Sequence, residues 1–415
     1  MTPCLLNLTD TMNKIIVFIC FYFPLFSSCL QLQGIVSKFI SPNIAQLFAY
    51  GNLTLIIIGV VLFKDKVETL SKTNKLWFVF YFMYYSFAIL ATGINGVRSS
   101  IIATLVPLIY FIGFFFLLSN KEQFRLFFKV ITVSFVISSF LTIILFKINF
   151  SLGGSGQFAT FDLDRAGGVY GDANNAALAN IIAFILFHKL YYPSKPIYRL
   201  IKMLILAIIF YSLFLTFSTT GLFVFTIILF LTNYKFFTGI RLILFGVVIV
   251  LFYMGVFALK SQTKDLNLSD AQIYKIDNII NVLTLNLDKV DSSGRDDLLI
   301  NVLYYLYESP FIGNGVDFAV SMKGHNTYVG IWVDAGVFTF LFFVFMLCYY
   351  LAKTFTLNMQ IRYFALSLLI ALYIFMISLQ TVINQPYLVV LFIFVGYIID
   401  YRKSNDGQLD FLYRK

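Results

Sequence analysis

Charge is scarce in this chain. Only 12% of its 415 residues are Asp, Glu, Lys or Arg, while 60% are hydrophobic and 19% aromatic. Soluble domains carry about 25% charged residues, so a soluble helical bundle is excluded. Histidine is scarcer still, with two copies, His188 and His325. The four cysteines, Cys4, Cys20, Cys29 and Cys348, all fall in or beside apolar runs. That placement supports neither a disulfide framework nor a CxxC metal site. No internal repeat of roughly 20–50 residues is visible.

What the chain has instead is apolar runs, each long enough to cross the ~30 Å hydrocarbon core as a helix. The expected fold is all-α: a polytopic transmembrane helical bundle, one integral membrane domain over residues 1–415, with about twelve spans. They fall at 14–32, 43–63, 77–95, 101–119, 126–146, 173–190, 203–218, 220–234, 240–258, 326–350, 362–380 and 385–401. The first run is flanked only by Lys14 and is read as a retained span rather than a signal peptide.

Basic residues orient the spans, because cytoplasmic connections carry an excess of Lys and Arg. With both termini cytoplasmic, most of the 30 basic residues fall inside, among them Lys64, Lys66, Lys72, Lys75, Lys121, Arg125, Lys129, Lys195, Arg199, Lys202, Lys353 and Arg362. The net charge of +10 is therefore a topology signal and implies no nucleic-acid partner. Two external connections are long, about 25 residues at 148–172 and about 65 at 259–325, and loops beyond ~15 residues are usually functional or disordered. The second lies between the ninth and tenth spans. Its stretch Arg295–Ser309 places Leu299, Val302, Leu303 and Leu306 on one helical face, with Ser293 as N-cap and Pro310 as terminator. The loop is expected to form an ordered helical cap on the membrane surface.

Polar residues of the outer side gather in three places: "FDLDRAGGVYGDANNAA" (161–177), "SSGRDD" (292–297) and "GNGVDFAVSMKGHNTY" (313–328). Each precedes or caps a helix. Helix N-termini suit anions, and arginine adds a bidentate fork for phosphate oxygens. Arg165 and Arg295 fit that description. An ordinary role is also open to each, pairing with Asp162, Asp164, Asp296 or Asp297, or snorkelling.

His325 precedes the helix that Asn326 or Thr327 can cap. A lone histidine there is often an interfacial cap, yet a helix N-terminus disfavours an imidazolium and so suits a proton acceptor. His325, Tyr328 and Trp332 share one helical face. His188, at the cytoplasmic end of the sixth span, is given no role. Asp334 is the one acid well inside a span, about 13 Å deeper than His325 and on the opposite face. Intramembrane acids are functional candidates, and a structural partner in a neighbouring helix explains it equally.

These residues, in this order, resemble the O-antigen polymerase and O-antigen ligase superfamily. The likeness rests on an external Arg opening an amphipathic helix, then "SPFIGNGVDF" (309–318), then "HNTYVGIWVDAGVF" (325–338). "DRAGGVYGDANNAA" resembles the family's other arginine stretch, and "FSTTG" (217–221) its small polar turn. The likeness covers about residues 160–345. Members often carry a Trp shortly after the loop Arg, where this chain reads Asp296, Asp297, Leu298, Leu299, Ile300, Asn301.

The resemblance implies a glycosyltransferase of the bacterial inner membrane acting on its periplasmic face. It would join undecaprenyl-diphosphate-linked oligosaccharide donor and acceptor by inversion, with no metal or cofactor. His325 would be the general base, and Arg295 and Arg165 would hold the diphosphate. Asn174, Asn175, Asn326 and Tyr328 would contact sugar or phosphate. A protein regulating chain length is an implied partner. Asp172 and Asp317 are the carboxylates a metal-dependent variant would use. Three rivals remain: an O-antigen ligase acting on lipid A core, a lipid-linked oligosaccharide flippase, and a structural membrane protein. The chain's Phe-, Ile- and Asn-rich, charge-poor composition favours polymerase over ligase. A flippase would place charged residues and broken helices near the midplane.

Overall fold

Hydrocarbon offers no hydrogen-bond partner, so a single segment crossing it satisfies its own N–H and C=O groups only as a helix. A computed structural model of the chain describes residues 13–95, 104–152, 163–233, scattered positions between 243 and 258, 270–284, 286, 295–380 and 382–401. Their regular structure is helical. In chain order the helices are α1 (Asn13–Cys29), α2 (Leu32–Phe39), α3 (Pro42–Phe63), α4 (Lys75–Asn95), α5 (Val106–Leu117), α6 (Lys121–Lys147), α7 (Ala173–Leu190) and α8 (Pro196–Leu215). They continue with α9 (Thr219–Thr232), α10 (Asp270–Leu283), α11 (Arg295–Glu308), α12 (Phe318–Ser321), α13 (Thr327–Thr354), α14 (Met359–Ser378) and α15 (Pro386–Tyr401).

Among the described residues, seven helices are long and apolar enough to cross a membrane: α3, α4, α6, α7, α8, α13 and α14. They become eight if α1 and α2, bent by 68° where Gln31 turns left-handed (φ 50°), form one span. The chain is a multi-pass helical membrane protein in contact with lipid. Seven expected spans coincide with these seven helices. Those at 101–119, 220–234 and 385–401 are realised as the shorter α5, α9 and α15. Proline accounts for two of these starts, since Pro107 and Pro386 fit the first helical turn and not the interior. The run at 240–258 lies largely outside the described residues.

α7 is the most enclosed of the long helices, packed by α6, α8, α9 and α14. α15 is buried almost end to end and touches α1, α5, α13 and α14. At one end of the bundle the Asp400 carboxylate accepts hydrogen bonds from Ser71 Oγ (2.6 Å), Thr73 N (2.8 Å) and Thr73 Oγ1 (3.0 Å). Asn74 donates to Ile393 O and accepts from Tyr350 Oη. These bonds staple the start of α4 to the end of α15.

At the other end, α13 is broken. Gly336 has φ 77° and ψ 173°, which interrupts the helical ladder inside the apolar run. The segment after α11 fills the break. Val337 N donates to Pro310 O (2.9 Å), Gly315 N to Asp334 O (3.1 Å), and Asn314 N and Nδ2 to Val333 O (2.8 and 3.0 Å). A side chain at Gly336 would collide with Phe311 O, and one at Gly313 (φ 88°) with the Asp334 backbone. Glycine is thus required on both sides of this contact. α11 starts at Arg295 as expected and ends one residue short of Ser309, and Val302, Leu303 and Leu306, three of the four residues of the apolar face read from sequence, pack in one cluster with Ala319 and Val333.

Candidate functional site

Two polar groupings lie at helix starts, one at α7 and one at α13. The first surrounds the start of α7. Asp172 caps that helix, its Oδ1 accepting from Asn174 N (3.0 Å) and Asn175 N (2.9 Å). Arg165 lies in the connection before it, half-buried. Its Nε donates to Thr216 O (2.9 Å) and its Nη2 to Asn174 Oδ1 (3.4 Å). Ser218 caps α9 by accepting from Gly221 N, and donates to the same Asn174 Oδ1 (2.9 Å). A guanidinium has five donors in one plane, and these two uncharged acceptors fix that plane. The polar turn at 217–221 thereby meets the arginine stretch. The long loop covers this grouping: Gln272 of α10 donates to Asp164 O, and Phe217 packs on Ile276 and Ile280.

The second grouping surrounds the start of α13. Asn326 caps the helix, its Oδ1 accepting from Val329 N (3.1 Å), so the cap foreseen for Asn326 or Thr327 is Asn326. Thr327 Oγ1 instead donates to Leu379 O. His325 is exposed beside the cap. Tyr328 turns into the bundle, donating to Tyr373 O (3.1 Å), whereas Trp332 donates to Pro310 O (3.0 Å). The two share a helix face by register yet engage different neighbours. Asn175 Oδ1 is enclosed with no hydrogen-bond partner among the described residues. Arg295 is the first residue of α11, and its side chain lies outside the described residues, as does Ser293. His188 stacks on Phe184 (5.9 Å) far along α7, remote from the start of that helix.

Hydrogen bonds run from the two groupings to different elements, and the α14–α15 connection spans between. Gln380 Oε1 accepts from Asn326 N (3.2 Å), Asn384 Nδ2 donates to Asp317 Oδ1 (3.0 Å), and Gln31 Nε2 donates to Gln385 Oε1 (3.3 Å). Tyr387, at the head of α15, meets the Tyr170 ring at 5.4 Å, four residues before Asn174. Gln380, Asn384 and Gln385 were not singled out from sequence. The available signal was three carboxamides crowded between two apolar runs. Asp317 has a left-handed backbone (φ 53°). Burial raises its carboxyl above the ordinary value, and the Asn384 bond pulls the other way.

Asp334 has the structural partner that sequence left open. Its carboxylate accepts from Tyr84 Oη of α4 (2.9 Å) and from Ala319 N (2.7 Å). It latches α12 and the segment before it against α4 and α13. Among the described residues no three of His, Cys, Asp and Glu gather in one place. Asp172, one carboxylate of the metal alternative, is committed to capping α7.

Fold and site together define a multi-pass helical membrane protein with a polar, loop-covered face at one end. The chain matches no known family model and no curated protein.

Proposed function

We propose that this chain is a membrane glycosyltransferase that polymerises undecaprenyl-diphosphate-linked repeat units of a surface polysaccharide. In this reading the bundle has about twelve spans with cytoplasmic termini, lies in a bacterial inner membrane, and carries its site on the periplasmic face. His325 takes the proton of the acceptor hydroxyl as that oxygen attacks the anomeric carbon of the donor. The bond from that carbon to the diphosphate breaks, and Arg165 and Arg295 stabilise the departing charge.

The observation that carries the reading is Arg165. Its guanidinium is oriented by neutral oxygens, Thr216 O and Asn174 Oδ1, beside the capped starts of α7 and α9. Fixed donors aimed from a helix-start environment are what a developing diphosphate charge needs. Deleting the gene and restoring it tests the reading: long polysaccharide chains should vanish and return. Unchanged chains, or unchanged repeat units with unlinked lipid A core, would point elsewhere.

The flippase reading draws on one observation, the broken α13 with its buried acid, since transporters use broken helices at the midplane. Here the freed backbone groups are taken by residues 310–315, and Asp334 by Tyr84 and Ala319. The break is filled, which favours the enzyme.

A further inference from the structure

α11 has three faces. Val302 and Leu306 pack inward on Ala319 and Val333. Asn301 and Glu308 are exposed and polar. The third face is apolar and uncovered: Ile300, Tyr304 and Tyr307 are 63%, 62% and 79% exposed, and Phe311, in the turn just past the helix, is 63% exposed. At about 100° per residue Ile300, Tyr304 and Tyr307 fall within a stripe roughly 60° wide, with Asn301 and Glu308 roughly 70–90° round from its middle; Phe311 follows in the turn after the helix ends at Glu308. Water on that stripe is unfavourable, and a contiguous exposed apolar patch marks an interaction surface.

What covers it follows from where the stripe leads. The Phe311 ring meets the Phe338 ring at 6.4 Å, and Phe338 meets Phe87 of α4 at 6.4 Å. Phe338, Leu341 and Phe345 are exposed on α13, a helix long and apolar enough to span the bilayer. That outward side of α13 faces lipid tails, so the stripe continues the lipid-facing wall past the broken end of the span. Tyrosine settles at headgroup level, apolar body inward and polar tip to water, and phenylalanine and isoleucine belong on the buried apolar face of an interfacial helix.

We infer that α11 lies in the plane of the lipid–water boundary. Ile300, Tyr304, Tyr307 and Phe311 sit among lipid headgroups and upper acyl chains, and Asn301 and Glu308 face water. The partner is bilayer lipid, and the inference stands apart from the glycosyltransferase reading. The contact sets the height of the segment that fills the α13 break, and with it Asp317 and α12.

The test uses the full chain in nanodiscs of phosphatidylcholine. Tyr307→Trp and Asn301→Trp are compared after subtracting the wild-type emission of Trp77 and Trp332. Bromine high on the acyl chains should quench Trp at 307 strongly, bromine near the chain ends more weakly, and neither should quench Trp at 301. Tyr304→Trp reads the same stripe if Tyr307→Trp does not fold. Emission at 307 that is unquenched by bromolipid and quenched by iodide overturns the inference in favour of water. Emission shielded from both, in a particle holding two chains, overturns it in favour of a second copy.

Discussion

The hydroxyl of Tyr84 donates to the carboxylate of Asp334 across 2.9 Å, two residues before α13 loses its helical path at Gly336. The same carboxylate holds Ala319 N at 2.7 Å. One buried acid therefore ties α4, α12 and α13 together.

Removing that acceptor leaves two buried donors unsatisfied, and each such group costs ~1–3 kcal/mol. Asp334→Ala should lower the thermal midpoint of the detergent-solubilised protein clearly. Tyr84→Phe leaves the Ala319 bond in place but takes one donor from the carboxylate and the acceptor of Asp317 N (3.4 Å), so it should cost roughly 1–3 kcal/mol and less than Asp334→Ala. Equal midpoints for the two variants would show that Asp334 is not the latch.

His325 separates chemistry from packing because it is exposed. A surface substitution shifts stability by about 0.5 kcal/mol or less, whereas a missing general base costs ~10²–10⁴-fold in rate. His325→Ala should therefore leave midpoint and yield intact and reduce the products to single repeat units. His188→Ala is the control and should polymerise normally. Polymer length per unit of protein that matches wild type in His325→Ala would rule out the catalytic role.

Arg165→Lys tests geometry at constant charge. An ammonium cannot hold Thr216 O and Asn174 Oδ1 while presenting a planar fork. Bonds to charged groups contribute ~1.5–3 kcal/mol, so polymerisation should drop on the order of 10- to 100-fold. Wild-type rates in the lysine variant would reduce Arg165 to a local tether.

Asp317 makes a pH-dependent contribution whose sign is fixed by burial. Its carboxyl titrates above the ordinary value in the folded protein. The folded state therefore holds the proton more tightly, and stability falls as pH rises through the window above ~3.9. Asp317→Asn removes that loss, keeps an acceptor for Asn384, and places at φ 53° a residue that tolerates the left-handed region. Its midpoint should exceed wild type at neutral pH, with the gap closing as pH falls. A gap that widens on acidification would refute the assignment.

Apolar runs made the long helices legible, and the i, i+3, i+4, i+7 spacing made α11 legible with its packed face. Local chemistry likewise narrowed the cap to Asn326 or Thr327, and it is Asn326. The break at Gly336 was not legible, because hydropathy reads "YVGIWVDAGVFTF" as one continuous span. Its cause is remote: backbone groups of 310–315 replace the helical bonds that Gly336 gives up. Arg165 and the turn at Ser218 were both visible as motifs, but their meeting at Asn174 is a tertiary contact with no signature in spacing. The same holds for Gln380 and Asn384, whose partners lie more than fifty residues away.

The burial of α15 has a consequence for biogenesis. This helix comes late in chain order, yet its Tyr397 and Tyr401 donate to Phe115 O and Leu118 O, and its Asp400 holds Ser71 and Thr73. Earlier spans must leave the ribosome and enter the bilayer before their central neighbour exists. Until it arrives, Asn74 and the carbonyls at the end of α5 face lipid or improvised partners. Packing of the bundle around α15 is accordingly completed only after the earlier spans have entered the bilayer, when α15 fills the slot between α5 and α14.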